Sequence, residues 1–433
     1  MEPEACLLMK PQLLIGAISS GSGKTTFTMG LLRALRRRGI VVQPFKCGPD
    51  YIDTRFHGVA TGRDSVNLDT WMASEPHVRE VYAHYGTDAD ACIAEGVMGL
   101  FDGYDRMKGS AAAIAELLDI PVVLVVNGRS MAYTAAAQLY GMKNFHPGVH
   151  IAGVVFNQVS CGRHSGFMEQ ACRDVGIECF GFLPKSEGVE IPSRHLGLTL
   201  SAEREMDSLC DKAADLVEAN VDIDRLLKAC TRPFTGTPQA PKAPECGMRI
   251  AVARDASFNF IYKENLDRLA QLGAVTFFSP LAGDPLPEAD LVYLPGGYPE
   301  LFAEELSRSA TNLQVREFAE AGGKVLAECG GMIYLCKGIE KAPMCGVLPF
   351  TATMEGARLH LGYRRVEMPS GAEWRGHEFH YSHLVAPDAL PSVAKQFNAK
   401  GEEVPTPLYR YKNVIAGYTH LYWGEADILK LWE

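Results

Sequence analysis

Ile18-Ser19-Ser20-Gly21-Ser22-Gly23-Lys24-Thr25-Thr26 decides how this chain is read. It follows the apolar run Leu13-Leu14-Ile15 and precedes an amphipathic stretch ending in Arg36-Arg37-Arg38-Gly39. A buried strand, a Gly/Ser loop and a helix start are the parts of a phosphate cradle. Consecutive backbone N–H groups point inward, and the helix end adds partial positive charge. In such a loop Ser20, Gly21, Ser22, Gly23, Lys24, Thr25 and Thr26 contact the nucleotide. Lys24 reaches the β- and γ-phosphates, and the Thr25 hydroxyl sits on Mg²⁺. Ile18 stands where the strict G-x-x-x-x-G-K-[ST] pattern has its first glycine, so the loop is a variant flanked by Gly16 and Gly21. A chance Gly/Ser turn is the bland alternative. Strand, loop, Lys-Thr pair and helix agree against it, which makes this a nucleotide site.

Length and charge bound the rest. A chain of 433 residues suits two domains, each with its own core. A net charge of -10 leaves no broad basic field to meet phosphates, so no nucleic-acid partner is expected. Arg36-Arg37-Arg38 is expected to be a solvated last helical turn that complements the dipole. There is no charged start followed by an apolar signal region, and no run long enough to span a bilayer, so no membrane is expected. Twelve cysteines without a C-x-x-C pair point to reduced thiols and a cytoplasmic setting.

The first half alternates candidate strands (40–45, 91–94, 121–126, 151–156 and 178–182) with helical patterns at 76–85, 110–118, 131–140 and 166–175. Near-continuous apolar runs separated by helices predict an α/β fold with a parallel sheet covered on both faces. Ligands in such sheets bind at the carboxyl ends of the strands, where the polar motifs of this chain fall. After the second strand comes Lys46-Cys-Gly-Pro-Asp50-Tyr-Ile-Asp53, whose lysine and carboxylates suit a Mg²⁺–phosphate site; a polar turn is the alternative. After the third comes Glu95-Gly-Val-Met-Gly-Leu-Phe-Asp102-Gly103, with Glu95 in the place of a Walker B carboxylate. The fifth strand runs out into Asn157-Gln158, an amide placed to read adenine or simply to form a turn.

Residues 233–247, with Pro233, Pro238, Pro241 and Pro244, read as a semi-rigid linker between a domain at 1–232 and one at 248–433. The second domain starts with a strand at 249–253, a helix at 262–272 and strands at 275–278 and 291–294. Its sharp motif is Val325-Leu-Ala-Glu328-Cys329-Gly-Gly331-Met-Ile-Tyr-Leu. Strand, tight turn and helix predict an elbow that exposes Cys329 as nucleophile, with the helix N-terminus expected to lower the thiol pKa. Gly296 and Gly297 in Leu294-Pro-Gly-Gly-Tyr-Pro supply backbone N–H groups for an oxyanion hole. His420 ends the run Val414-Ile-Ala-Gly-Tyr-Thr-His and is suited to take the thiol proton.

Arg375-Gly-His377-Glu-Phe-His380-Tyr-Ser-His383 invites a metal reading. In extended chain His377 and His383 face one way and His380 the other, so the three do not converge. Gly376, Phe379 and Tyr381 favour extended chain. His377 and His380 are therefore assigned to substrate contact or inter-domain packing.

The loop at 19–26, Lys46–Asp53, Glu95–Gly103, Leu294-Pro-Gly-Gly-Tyr-Pro-Glu-Leu, Glu328-Cys-Gly-Gly and Gly376-His-Glu-Phe-His-Tyr-Ser occur in this order. Together they resemble the cobyrinic acid a,c-diamide synthase family of glutamine-dependent amidotransferases, over nearly the whole chain. The resemblance implies an N-terminal P-loop domain, dethiobiotin-synthetase-like, joined to a C-terminal class I glutamine amidotransferase-like α/β domain. It implies ATP, glutamine and a corrinoid (cobyrinic acid) as substrates, with hydrogenobyrinic acid or nickel sirohydrochlorin as the alternatives. Cys329 would attack glutamine, Gly296 and Gly297 would hold the oxyanion, and His420 would shuttle the proton. Lys24, Lys46 and Mg²⁺ would stabilise the transferring phosphoryl group, with Thr25, Asp50, Asp53 and Glu95 as the metal candidates and Asp102 near substrate carboxylate or phosphate. A homodimer is compatible with this pattern.

Three positions depart from the family. Ile18 replaces the commoner Thr, Asn127 replaces a common Asp, and Tyr422 stands where full class I glutaminases carry Glu two residues after the histidine. The last leaves Cys329 and His420 as a dyad or with an unidentified orienting group. A regulatory P-loop ATPase with an inactive amidase module is the rival from another class. Such switches carry a second lysine at the start of the loop, where this chain has Ile18, and need no cysteine elbow. A cobyric acid synthase is disfavoured by the Ser-Gly-Ser-Gly-Lys loop and the Gly-His-Glu-Phe-His run.

Overall fold

The computed structural model describes residues 8–159, 162–186, 188–189, 200–236, 246–386 and 390–433. They fall into two compact units. In the first, strand and helix alternate: β1 (Leu8–Ala17), α1 (Lys24–Arg37), β2 (Val42–Cys47), α2 (Ile52–Thr61), β3 (Val66–Leu68), α3 (Glu75–Gly86), β4 (Ala91–Glu95), α4 (Ala111–Leu118), β5 (Val122–Asn127), α5 (Ala135–Asn144), β6 (Ile151–Asn157), α6 (Arg163–Val175), β7 (Glu178–Leu183), α7 (Leu200–Asn220), α8 (Ile223–Ala229) and β8 (Thr231–Phe234).

The sheet runs β3-β2-β4-β1-β5-β6-β7, all parallel, and β8 pairs antiparallel with the start of β1. β2 and β4 are buried along their full length, as strands covered on both faces must be. The chain steps to one side after β1 and to the other after β4. The carboxyl ends of these two neighbours therefore form the switch-point crevice.

Two sequence expectations change here and a third gains partners. The helix expected from Met131 begins at Ala135. Asn127 Oδ1 first accepts the Arg129 N–H (3.0 Å), and His164 Nε2 takes the Met131 carbonyl (2.6 Å). These bonds turn the backbone before a helix can start. The linker begins later than Pro233, because Pro233 and Phe234 belong to β8 and pair with Met9 and Leu8; residues 237–245 of it lie outside the described residues. The arginine run is the exposed last turn of α1, as expected, and it carries ion pairs as well. Arg37 meets Asp211, Asp215 and Glu218 of α7, and Arg38 meets Asp224 of α8. Gly30 lets α1 and α7 approach, since a Cβ there would lie 2.5 Å from the Ala213 carbonyl oxygen.

The second unit contains β9 (Met248–Ala253), α9 (Lys263–Leu272), β10 (Gly273–Phe278), β11 (Leu291–Leu294), α10 (Ala303–Ser307), α11 (Thr311–Glu320), β12 (Lys324–Glu328) and α12 (Gly330–Leu335). Short strands follow: β13 (Gly338–Ile339), β14 (Ala342–Pro343), β15 (Thr351–Thr353), β16 (His360–Glu367), β17 (Glu373–His380), β18 (His383–Val385), β19 (Lys395–Phe397), β20 (Glu403–Val404), β21 (Leu408–Tyr411), β22 (Val414–Gly417) and β23 (His420–Tyr422). The main sheet is β10-β9-β11-β12-β22-β21, parallel except for the edge strand β21. Residues alternate between its faces. Ala251, Val292, Val325 and Ala416 face one apolar cluster with Phe258 and Tyr334. Ile250, Tyr293, Leu326 and Ile415 face the other with Trp374 and Trp423. After β22 the chain bends and β23 leaves this sheet to pair with β17. Cys329, the Gly296–Gly297 pair and His420 thus gather at the carboxyl ends of β11, β12 and β22.

Candidate active sites

The phosphate loop joins β1 to α1. Gly21 (φ 76°) and Gly23 (φ 96°) hold left-handed conformations that side chains resist. Ser20 and Gly21 are exposed at the tip, and Thr25 and Thr26 are half-buried on the first turn of α1. Asn157, the last residue of β6, donates Nδ2–H to the Ser22 carbonyl (3.0 Å) and accepts the Gln158 N–H on Oδ1 (3.0 Å). The amide expected to read adenine is engaged in bracing the loop and its own turn. A Cβ on Gly23 would lie 2.1 Å from Asn157 Nδ2. Gly23→Ala should therefore raise the KM for ATP roughly tenfold or more, through strain of about 1–3 kcal/mol, while the fold persists. Initial-rate titration with ATP checks this; an unchanged KM counts against the bracing.

Lys24 is buried and donates to the Met98 carbonyl at 2.6 Å; burial lowers its pKa. Thr25 Oγ1 donates to Glu95 Oε1 at 2.7 Å. Glu95 is fully enclosed and also meets Lys46 Nζ (3.1 Å) and His57 Nε2 (2.8 Å). Burial alone would raise its pKa, but the charge of Lys46 and the His57 bond outweigh this and hold it well below the usual carboxylate range. Lys46 Nζ lies 2.5 Å from Asp53 Oδ2. Burial works against the Lys46 charge, and Asp53 and Glu95 more than restore it. Burial, then the charge of Asp50, pushes Asp53 up to about 6. Asp50 Oδ1 accepts from Ile52 N (2.9 Å) and Asp53 N (3.0 Å), capping the entry to α2. Asp102 Oδ2 accepts the Gly99 N–H (3.0 Å) and closes its own turn. Asp53 and Glu95 share Lys46 beside the Thr25 hydroxyl, and Asp50 acts on that lysine through its charge; oxygen donors of this kind suit a hard cation. His57 is buried between Glu95 and Ser65. It escapes a reading of the sequence because no motif spacing links it to Glu95.

In the second unit Cys329 sits between β12 and α12 with φ 45° and ψ -105°, a strained elbow. Its N–H donates to the Gly417 carbonyl at 2.7 Å, linking the elbow to the end of β22. The glycines make the approach possible. A Cβ on Gly331 would lie 2.0 Å from the Leu294 carbonyl oxygen, and one on Gly330 would lie 2.8 Å from Gly297 N. A Cβ on Gly296 would lie 2.1 Å from His420 Cε1, so the Cys329 elbow, the glycine pair and His420 are close neighbours. The expected lowering of the thiol pKa is overturned. Burial, then the charge of Glu300, pushes Cys329 well above the ordinary thiol range, and α12 is only six residues long. Burial, then His377 and His380, lowers His420 well below its ordinary value. The two shifts favour an uncharged thiol and an uncharged imidazole.

His377 lies directly across from His420 in the β17–β23 pair, its ring stacked on His420 at 5.0 Å, and its Nδ1 bonds the Tyr262 hydroxyl (2.8 Å). Burial pushes it down to about 3. His380 faces the other way, stacked on Tyr418 at 3.6 Å. His383 is exposed on β18, beyond a turn that breaks the strand parity. The described residues hold a different metal-capable set, His360, Glu378 and His380, with donor atoms within 4.8 Å of one another. Its carboxylate is already claimed by Arg364 (2.5 Å) and Thr406 (2.9 Å). His380 faces oxygen acceptors with both nitrogens, Ser382 O and Glu378 Oε1, each at 2.7 Å.

Two family models match this chain: a CobB/CobQ-like glutamine amidotransferase domain over residues 249–428 and a CobQ/CobB/MinD/ParA nucleotide binding domain over residues 13–198. Fold, phosphate loop and cysteine elbow define an ATP- and glutamine-dependent amidotransferase. Hydrogenobyrinate a,c-diamide synthase of Brucella abortus biovar 1 (strain 9-941) is 40% identical, covering 95% of this chain and 99% of its own. Cobyrinate a,c-diamide synthase of Picrophilus torridus is 40% identical over 95% of both chains. That of Syntrophotalea carbinolica is 39% identical over 96% of both. The chain belongs to this family of a,c-diamide synthases, glutamine amidotransferase ligases of cobalamin biosynthesis.

Proposed function

We propose that this chain converts the a and c acetate carboxylates of cobyrinic acid to amides, with ATP as activator and glutamine as nitrogen donor. The observation that carries this is the end-to-end similarity to synthases named for these two amidations. Relatives named for hydrogenobyrinate are equally identical, which brings in the metal-free ring as a second substrate.

In the glutaminase site Cys329 Sγ attacks the glutamine carboxamide carbon as His420 accepts the thiol proton. The N–H groups around Gly296 and Gly297 receive the developing oxyanion. His420 returns its proton to the leaving nitrogen, ammonia departs, and water hydrolyses the thioester to glutamate. A neutral thiol beside a neutral imidazole avoids the cost of a buried ion pair until glutamine arrives.

In the synthetase site the loop N–H groups and Lys24 hold the ATP phosphates while a ring carboxylate oxygen attacks the γ-phosphorus, giving an acyl phosphate and ADP. Lys46 neutralises charge on the transferring group. Thr25 and Glu95, with Asp53 and Asp50 nearby, would hold Mg²⁺. That ion would supply electrostatic stabilisation of the phosphate oxygens. Ammonia then displaces phosphate at the acyl carbon. Asp102, His377 and His380 remain assigned to substrate or phosphate contact. Among the described residues no helix is long and apolar enough to cross a membrane. A cytoplasmic setting belongs to the proposal and rests on the cysteine usage of the sequence.

Mass spectrometry after incubation with Mg-ATP and glutamine tests the assignment. Cobyrinic acid should gain two amides, and hydrogenobyrinic acid run in parallel should show which ring is preferred. Glutamate formation with neither ring amidated would remove the substrate assignment and leave the amidotransferase class.

A further inference from the structure

The dyad lacks the acid that follows the histidine in full class I glutaminases, since that place is Tyr422, whose hydroxyl turns to Glu264 (3.4 Å). A different carboxyl reaches the same strand. Glu328 ends β12 immediately before Cys329 and is 2% exposed. Its Oε1 accepts the N–H of Leu421, the residue after His420, at 2.9 Å. Its Oε2 accepts the Tyr293 hydroxyl of β11 at 2.7 Å.

The topology explains what this bond does. The β12–β22 ladder ends at the Glu328–Gly417 pair, and β23 pairs with β17 of the other sheet. The β12 ladder therefore stops short of His420. Two tie points replace it: the Cys329 N–H on the Gly417 carbonyl (2.7 Å) and Glu328 on the Leu421 N–H. They clamp both ends of the Tyr418–His420 bend to the elbow that carries the nucleophile.

We propose that Glu328 is the positioning residue that sets His420 against Cys329, doing through the backbone what a triad acid does through the imidazole. Tyr293 fixes the Glu328 side chain in turn. Burial pushes Glu328 up to about 8, against the pull of the Leu421 N–H and the Tyr293 hydroxyl. The clamp needs only an acceptor oxygen, which the carboxyl keeps in either protonation state. A misplaced proton acceptor is expensive, because a shift of about 1 Å costs roughly 100-fold in rate.

The inference rests on Cys329 and His420 being the working pair, and the test is steady-state glutamine hydrolysis by the full chain. Glu328→Ala should lower kcat roughly 100-fold with KM for glutamine within about threefold. Glu328→Gln, which keeps an acceptor oxygen, should recover to within about fivefold of the parent. If the alanine variant does not fold, Glu328→Leu combined with Tyr293→Phe removes both polar partners at similar volume. It should show the same roughly 100-fold loss. A parent-like kcat in the alanine or double variant, or a glutamine variant as slow as alanine, overturns the clamp. A Cys329→Ala control that still hydrolyses glutamine would instead remove the dyad assignment itself.

Discussion

Replacing Cys329 by alanine is expected to lower glutamine-dependent amide formation by roughly 10⁴-fold or more, while amidation driven by ammonium salt continues. The thiol is the group at the elbow that can form a covalent bond to the glutamine carbonyl carbon. The backbone donors and His420 that remain can polarise the amide but cannot replace the nucleophile. In the proposed mechanism the acyl phosphate forms in the other unit from ATP and a ring carboxylate, and it would accept ammonia from any source. Parallel assays with glutamine and with ammonium chloride, reading product amides, separate the two sites. Loss of both activities would show that Cys329 serves more than ammonia release.

Lys24→Ala should give the mirror image. Amide formation falls roughly 100- to 1000-fold with either nitrogen donor, and glutamine hydrolysis at Cys329 stays measurable. Lys24 is the buried cation at the head of α1, and its ammonium now rests on the Met98 carbonyl at 2.6 Å. Exchanging that neutral acceptor for a phosphate oxygen strengthens the contact as charge develops on the transferring group. ADP release and glutamate formation, followed in the same reactions, check the result. A Lys24→Ala variant that amidates at the parent rate would remove Lys24 from the phosphoryl-transfer step.

Much of this arrangement is legible in the sequence. β4, β5 and β6 are near-continuous apolar runs that end in polar residues, and a strand buried on both faces needs that pattern. The elbow is legible because Cys329 sits between a strand-like apolar run and two glycines, and packing against Leu294 and Gly297 leaves no room for larger residues. What escapes depends on partners distant in sequence. His57 acts through Glu95, and Glu328 through Leu421, and neither spacing follows a helical or strand period. The thiol pKa is illegible for the same reason. A helix start beside a cysteine suggests a lowered value, but the enclosing strands and loops make burial the larger effect. Strand parity groups His383 with His377, yet that parity ends where the chain turns before β18.

The most direct measurement is the mass of the product formed from cobyrinic acid, Mg-ATP and glutamine labelled with nitrogen-15 at the amide, with ADP counted in the same reaction. Two labelled amides per ring, formed with two ADP released, are the expected result. Unlabelled amides, or labelled amides formed without matching ADP, would contradict a Cys329-derived ammonia captured by an ATP-made acyl phosphate.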